Sequence, residues 1–461
     1  LAPAHAGKQL SQLPPDANAS TGNQSAAPLG EHSNRIADVD DLKTTLLELD
    51  RSVLLECIKV ARYTINFSAV ANKQWPWRSV LYPLAQEGGT AAAFTNGIID
   101  LKQRVKGYYN TDLKSERALK NGEVTSLIGS CIGGGSSAAE LTQNLVVDLL
   151  SRRKGYSPAN RINYVKSSIE KIDLLLTQRD KLVSSSTIND IDLKVRLTEG
   201  SLLKHLRNQV LTEFKKFSTR SLESMWQENT SFAIDSAQNL AQVASSVVSL
   251  RAFQQPELDG SSSIISLSAG AVSALNPALS WLAAVAARRH HRHQLAKAFP
   301  LRQDDNKDYA KELLALQDLV SDNPDATDIR ELAFLQAHAA KYDDLVDKEI
   351  QKIQKLRRVA AQQAISGPLI AMTSVAKSIL STTGFYGYRH RPLVRNRIGL
   401  AGRISSLTGQ SYSMTKTPST QIHYFINQQR LARNGKLPAQ IAQRHLEKLD
   451  KLEAQIKAAK L

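Results

Sequence analysis

The chain has 461 residues, with 59 Lys and Arg against 43 Asp and Glu, a formal net charge of +16. Apolar residues make up 42% and charged residues 22%, so the chain can bury a sizeable core and is not disordered as a whole. With 6% aromatics, 23 Gly and 15 Pro, a large β-sandwich or barrel is disfavoured, and two cysteines exclude a disulfide scaffold or a cysteine-built zinc site.

Ala, Leu, Gln, Lys and Ser dominate, and all favour helix over strand in this context. The fold class expected is all-α: an elongated bundle of long antiparallel helices, with short apolar helices rich in small residues and a disordered N-terminal lead-in. Four regions follow from the composition shifts: a lead-in over 1–36, an N-terminal helical region over 37–155, a long-helix bundle over 156–366, and a basic helical region over 367–461.

The chain opens on "LAPAHAG", where Ala4-His5-Ala6 fits the small-residue rule of a signal-peptidase site. Export to an extracytoplasmic location, periplasmic or secreted, is the expectation drawn from it; a fragment boundary would give the same start. Residues 7–35 are polar and rich in Ser, Asn, Pro and Gly, the composition of a disordered segment.

From about residue 38 the pattern becomes helical. Asp38, Asp40 and Asp41 suit a helix N-terminus, and the run continues to about Asn72. "WPWRSVLYPLAQEGG" reads as a connector with short helical turns, and Thr90 to Lys106 as the next helix. Cys57 and Cys131 are two buried thiols or, in an oxidising compartment, one bridge.

Gly133-Gly134-Gly135 is read as preceding a helix, but it lacks the strand and the Lys of a phosphate-binding loop, so flexible packing or a cap is the expectation. Ser157-Pro158 is a helix start, Ser as cap and Pro in the first turn. Ile162, Val165, Ile169, Ile172 and Leu176 then recur three and four apart, and Val183 continues the seam past a polar Arg179. Residues 190–252 hold no Pro and one Gly, enough for a single helix of roughly 95 Å at 1.5 Å per residue. A second long run covers 325–366, and the C-terminal region predicts helices at 418–433 and from Pro438 onward.

The most unusual stretch is 264–287, "IISLSAGAVSALNPALSWLAAVAA", followed by Arg288, Arg289, His290, His291, Arg292 and His293. It is long enough to span a bilayer, which takes about 20 apolar residues. It also carries many Ser, Gly and Ala, and Asn276-Pro277 lies at its centre. Those features argue for close helix packing rather than a constitutive span. Between the two stands an apolar hairpin, buried in one form and inserted in another, with Leu275, Pro277, Leu279, Trp281 and Leu282 as its packing or membrane residues. Residues 124–150 and 365–388 are weaker relatives, interrupted by Glu140 and Lys377.

Charge is concentrated at the C-terminal end. Residues 350–446 contain no Asp or Glu and hold 15 Lys and Arg. Arg357, Arg358, Arg389, Arg391, Arg395, Arg397 and Arg403 are the candidate binding residues for an anionic surface, either lipid head groups or polysaccharide, or for an acidic protein. A homo-oligomer is allowed. Nucleic acid is disfavoured, because "GFYGYRHRPLVRNR" places aromatics beside arginines as an interfacial belt does as readily as a strand binder. The histidine run lacks the spacing of a metal site and reads as a basic, pH-sensitive flank. No hydrolase, metalloprotease or kinase motif is present, so neither catalytic residues nor a cofactor is expected. The leading expectation is a non-enzymatic scaffold docking through its basic region. The alternative is a membrane-inserting or pore-forming protein that uses 264–287.

Overall fold

A computed structural model describes residues 39–71, 78–185, 190–300, 372–433 and 438–458. The lead-in, the run over 325–366, and Arg357 and Arg358 lie outside the described residues. Among those described the chain is all-α, with no strand. In order they are α1 (Val39–Ala71), α2 (Arg78–Lys106), a one-turn helix at Thr111–Leu113, α3 (Glu116–Arg153), α4 (Pro158–Ser185), α5 (Asp190–Ala252) and α6 (Leu258–Ala298). They continue with α7 (372–387), α8 (Pro392–Arg433) and α9 (Pro438–Ala458).

Several sequence signals act as expected. The Ser157 hydroxyl accepts the Asn160 amide at 3.2 Å and α4 begins at Pro158. The seam on α4 faces inward at Val165, Ile169, Ile172, Leu176 and Val183. The 63-residue α5 is continuous.

Other expectations are corrected. From Arg78 onward the connector before Thr90 is one continuous helix: α2 starts at Arg78 and runs through Gly88 and Gly89. The triple glycine lies inside α3 and caps nothing. α8 begins at Pro392, well ahead of the predicted 418. The hairpin at 264–287 is absent, because α6 continues through Pro277 as one helix of 41 residues. α5 holds α6 on both sides of the proline. Ser245 bonds Ser262 at 3.2 Å, Asn276 donates to Asp235 at 2.7 Å, and Ser218 meets His291 at 2.7 Å. Partners on α5 descend in number as those on α6 rise. Cys57 and Cys131 are not bridged: Cys57 is buried on α1 and Cys131 is exposed on α3.

Two kinds of packing share the long helices. In one half, α1, α4, the first part of α5, the end of α6 and α9 pack conventionally. Val53, Val60, Phe67, Ile169, Ile172, Leu203, Phe214 and Leu295 form a contiguous apolar core. Each such side chain, fully buried, stabilises by roughly 1.5–3 kcal/mol. α9 docks on α1 through Leu449 and Leu452 against Ile58 and Ala61, and Arg62 bonds Asp450 at 2.6 Å and Glu453 at 2.5 Å. Arg179, the polar interruption of the α4 seam, is 1% exposed; it pairs with Asp50 at 2.6 Å and Glu199 at 3.2 Å. Asp50 of α1 and Glu199 of α5 therefore neutralise an arginine of α4.

His291 closes this half. It is 1% exposed, and its Nε2 lies 2.7 Å from the Ser218 hydroxyl while Nδ1 has no hydrogen-bond partner. His290 and His293, in contrast, face outward. Burial, then Arg161 of α4 and the adjacent His290, lower the His291 pKa below 6.5. The folded form thus holds fewer protons than the unfolded chain, so stability is full above about pH 6.5 and falls as pH drops toward the folded pKa. Glu56 acts at lower pH. Burial alone would raise it, but bonds from Lys171 and Lys59 outweigh burial and hold it below 4.5. We expect the urea midpoint to fall between pH 7.5 and pH 5.5, and to fall much less in His291→Asn. Equal losses in both proteins would assign the acid sensitivity elsewhere.

Candidate functional site

The other half comprises α2, α3, the second part of α5, most of α6, α7 and α8, and its polarity is inverted. The buried residues of α3 are Gly122, Gly129, Gly133, Ser137, Glu140 and Ser151, none of them a large apolar side chain. Its exposed side carries Val124, Ile128, Ile132, Leu145, Val146, Leu149 and Leu150. On α6 the buried face is Gly260, Ser262, Ser263, Ala269, Gly270, Ser280 and Ala284, while Ile264, Val272, Leu275, Leu279, Trp281 and Leu282 point outward. Only 22% of the most apolar stretch of α6 is buried, so among the described residues most of that stretch faces outward and is not packed in a core.

Small residues set these interfaces because they let backbones approach. α2 and α3 cross at Gly89 and Gly129. A Cβ on Gly129 would stand 2.8 Å from the Gly89 carbonyl oxygen, so no side chain larger than hydrogen fits. Gln86 reaches Ser136 at 2.8 Å and Ser137 at 3.0 Å across the same crossing. Asn144 of α3 donates to Asn229 of α5 at 2.9 Å. α6 meets α7 through Ser263 with Ser381 at 3.1 Å and Ser266 with Ser378 at 3.2 Å. Hydroxyls and amides bond between helices here where the conventional half uses Leu and Phe.

Charge follows the same inversion. Over 81–101, 121–147, 229–250, 261–287, 372–388 and 398–415 no charged side chain is exposed. The charges in those segments turn inward. Asp100 takes Arg403 Nε at 2.6 Å, Arg403 Nη2 at 2.5 Å and Arg104 Nε at 3.0 Å, with Glu123 and Lys377 close enough to act on the same cluster. Asp235 accepts from Asn276, whose own carbonyl oxygen accepts from Ser280 at 2.8 Å. The Asn and Pro that suggested a break are thus anchored against α5.

The predicted site residues separate. Leu275, Leu279, Trp281 and Leu282 share the outward apolar surface. Arg389, Arg391 and Arg397 are exposed. Arg395 is half-buried and paired with Asp259, and Arg403 is buried against Asp100, so neither Arg403 nor its charge is available to an outside partner. Sequence reading missed Asp100, Asp235, Gly89 and Gly129. It had counted Glu140 and Lys377 as interruptions of apolar stretches, whereas Glu140 is buried on the inner face of α3. Among the described residues no group of three His, Cys, Asp or Glu forms a metal site.

Comparison with protein-family models, curated proteins and solved structures finds no match. Architecture and surface chemistry therefore define the class: an all-α protein, half of it packed conventionally and half with its polar groups inside and its apolar groups outside.

Proposed function

We propose that this chain is a membrane-inserting helical protein whose inverted half lies in the bilayer and whose conventional half stays in water. The observation that carries the reading is the absence of exposed charge over six helical segments, whose few charges turn inward. In water, exposing Leu, Ile and Trp while burying Ser, Asp and Arg costs free energy on both sides. In hydrocarbon the same arrangement is favourable, because lipid takes the apolar surface and polar groups must find partners within the bundle.

The dimensions support it. Between Glu228 and Arg251, α5 has 22 residues with Asp235 as their single charge, and between Asp259 and Arg288, α6 has 28 uncharged residues. At 1.5 Å per residue these are about 33 and 42 Å, against a hydrocarbon core of about 30 Å. Pro277 within α6 is tolerated in such a setting because neighbouring helices supply hydrogen bonds. A docking scaffold in water would account for the arginines but not for the outward apolar band.

The test uses the chain's own thiols. Cys131 is exposed on the outer face of α3, while Cys57 is buried, with its thiol pushed up to about 12, and stays unreactive. An environment-sensitive dye on Cys131 should shift to the blue with phospholipid vesicles and be quenched by nitroxides placed mid-chain, not by aqueous iodide. Release of a trapped dye in the same samples would distinguish a pore from an inserted bundle. A label that stays open to iodide sinks the reading, and concentration-dependent protection without lipid would assign the band to a second copy of the chain.

A further inference from the structure

Three chain connections gather at one end of the inverted half: 107–115 after α2, 253–257 after α5 and 388–391 before α8. The Asn396 amide donates to the carbonyls of Arg104 and Gly107, both at 2.8 Å, and so fixes the start of α8 against the end of α2. Arg395 pairs with Asp259 at the start of α6, and Gly260 leaves room for the Phe385 ring. Lys120 at the start of α3 lies 5.4 Å from the ring of Phe253. These ties make a single built surface out of residues far apart in the chain.

From this reading of the inverted half as membrane-embedded, we infer that this end is a binding surface for anionic phospholipid head groups, with Arg389, Arg391 and Arg397 holding phosphate. Aromatic rings, not carboxylates, support these arginines. Arg397 stands 4.5 Å over Tyr108 and Arg389 stands 5.9 Å over Phe385. Among the described residues no carboxylate pairs with any of the three. Of the nearby acids, Asp259 pairs with Arg395, Asp100 with Arg403 and Arg104, and Glu116 with Lys120, while Asp112 and Glu257 lie exposed in the same connections. Basic residues outnumber acidic ones at this end, so the surface carries an excess of positive charge. The same excess acts on half-buried Lys114, which burial and then Arg104 bring down to about 8.

Position selects lipid as the source of the phosphate. Arg397 is one turn from exposed Ala401 and two turns from Ile404, which begin the uncharged outer band of α8. Tyr109, Tyr386 and Tyr388 are exposed around the arginines at the same level. Tyrosine rings and arginines bordering an apolar band are the arrangement of a membrane–water interface, where ring faces sit among acyl carbons and guanidinium groups meet phosphate. A soluble polyanion would use the charges and leave the tyrosines and the adjoining band unused.

The experiment measures partitioning of the Cys131-labelled full chain onto phosphatidylcholine vesicles and onto vesicles of equal parts phosphatidylcholine and phosphatidylglycerol, at low salt. The variant R389Q/R391Q/R397Q should lose affinity for the anionic vesicles on the order of a hundredfold, from about a factor of five per basic residue at a charged surface. It should change little on neutral vesicles. R389K/R391K/R397K, which keeps the charges, should retain most of the anionic preference and reports on whether the fold tolerates change at these positions. Equal partitioning of the Gln variant and the parent onto anionic vesicles, with the dye still shifted, overturns the head-group surface and leaves the membrane reading intact. No dye shift with either vesicle overturns both. Loss of heparin binding in the Gln variant with unchanged lipid binding would reassign the arginines to a soluble polyanion and overturn the proposal.

Discussion

Asp100→Asn is expected to destabilise the inverted half by about 3–5 kcal/mol, the usual cost of removing one partner from a buried ion pair. The side chains of Asp100 and Arg403 are 8% and 6% exposed. Asn can accept from one guanidinium N–H but cannot neutralise Arg403, and Arg104 loses the same partner at 3.0 Å. A cation is then left between α2 and α8 with little access to water. Asp100→Leu combined with Arg403→Met should recover most of the loss, because apolar residues of similar volume often replace a buried pair without net cost. Arg152–Asp148, on the surface of α3 with the arginine 55% exposed, serves as the control. Its removal should cost about 0.3–0.5 kcal/mol. Urea titrations followed by circular dichroism, in the detergent or lipid that holds the chain folded, measure all three. If the single and double changes cost the same, the pair is not a coupled unit and the proposed polar interior fails with it.

The sequence carried the helices well wherever packing follows the ordinary rule. On α4 the apolar residues recur at helical spacing and face inward, so Ser157-Pro158 and the seam from Val165 to Val183 could be read directly. Arg179 was hidden, because a buried arginine is defined by Asp50 and Glu199 on two other helices. Local spacing holds no record of such partners.

The inverted half was legible in composition but not in direction. The runs of Gly, Ala and Ser were noticed, yet which face they turn inward depends on neighbours distant in the chain, such as Asn239 against Gly133 and Ser378 against Ser266. Glu140 and Lys377 counted against a membrane because a charge inside an apolar stretch is costly unless it turns toward a partner. Asn276-Pro277 suggested a break because proline removes a backbone donor. The opposing chemistry, Asp235 and Ser231 on α5, is 41 and 45 residues away. Clustering in sequence places Arg403 with Arg397, although α8 turns one inward and the other outward.

α5 and α6 run through both halves, but each half buries its own set of side chains, so a substitution can be aimed at one of them. Phe214→Ala should be the most damaging apolar truncation in the conventional half, costing about 3–5 kcal/mol. Phe214 is fully buried, and its ring meets Phe67 of α1 and Phe299 beyond α6, each with centroids 6.1 Å away in an edge-to-face arrangement. The cavity would open where α1, α5 and the end of α6 meet, and none of these long helices can close it without moving its whole length. Cys57 belongs to the same cluster, so its alkylation rate reports opening of this core. A loss of 3–5 kcal/mol should speed that reaction by more than about a hundredfold, since about 1.4 kcal/mol is a factor of ten. Cys131, on the outer face of α3, should react at an unchanged rate. Leu282→Ala, which trims a side chain 53% exposed in the outer band, should leave Cys57 protected and weaken only the partition into lipid. Equal acceleration of Cys57 by both changes would mean that Leu282 supports the water-facing core. Acceleration by Phe214→Ala alone would mean that apolar residues stabilise this chain in two media, by leaving water for the protein interior in one half and for the bilayer in the other.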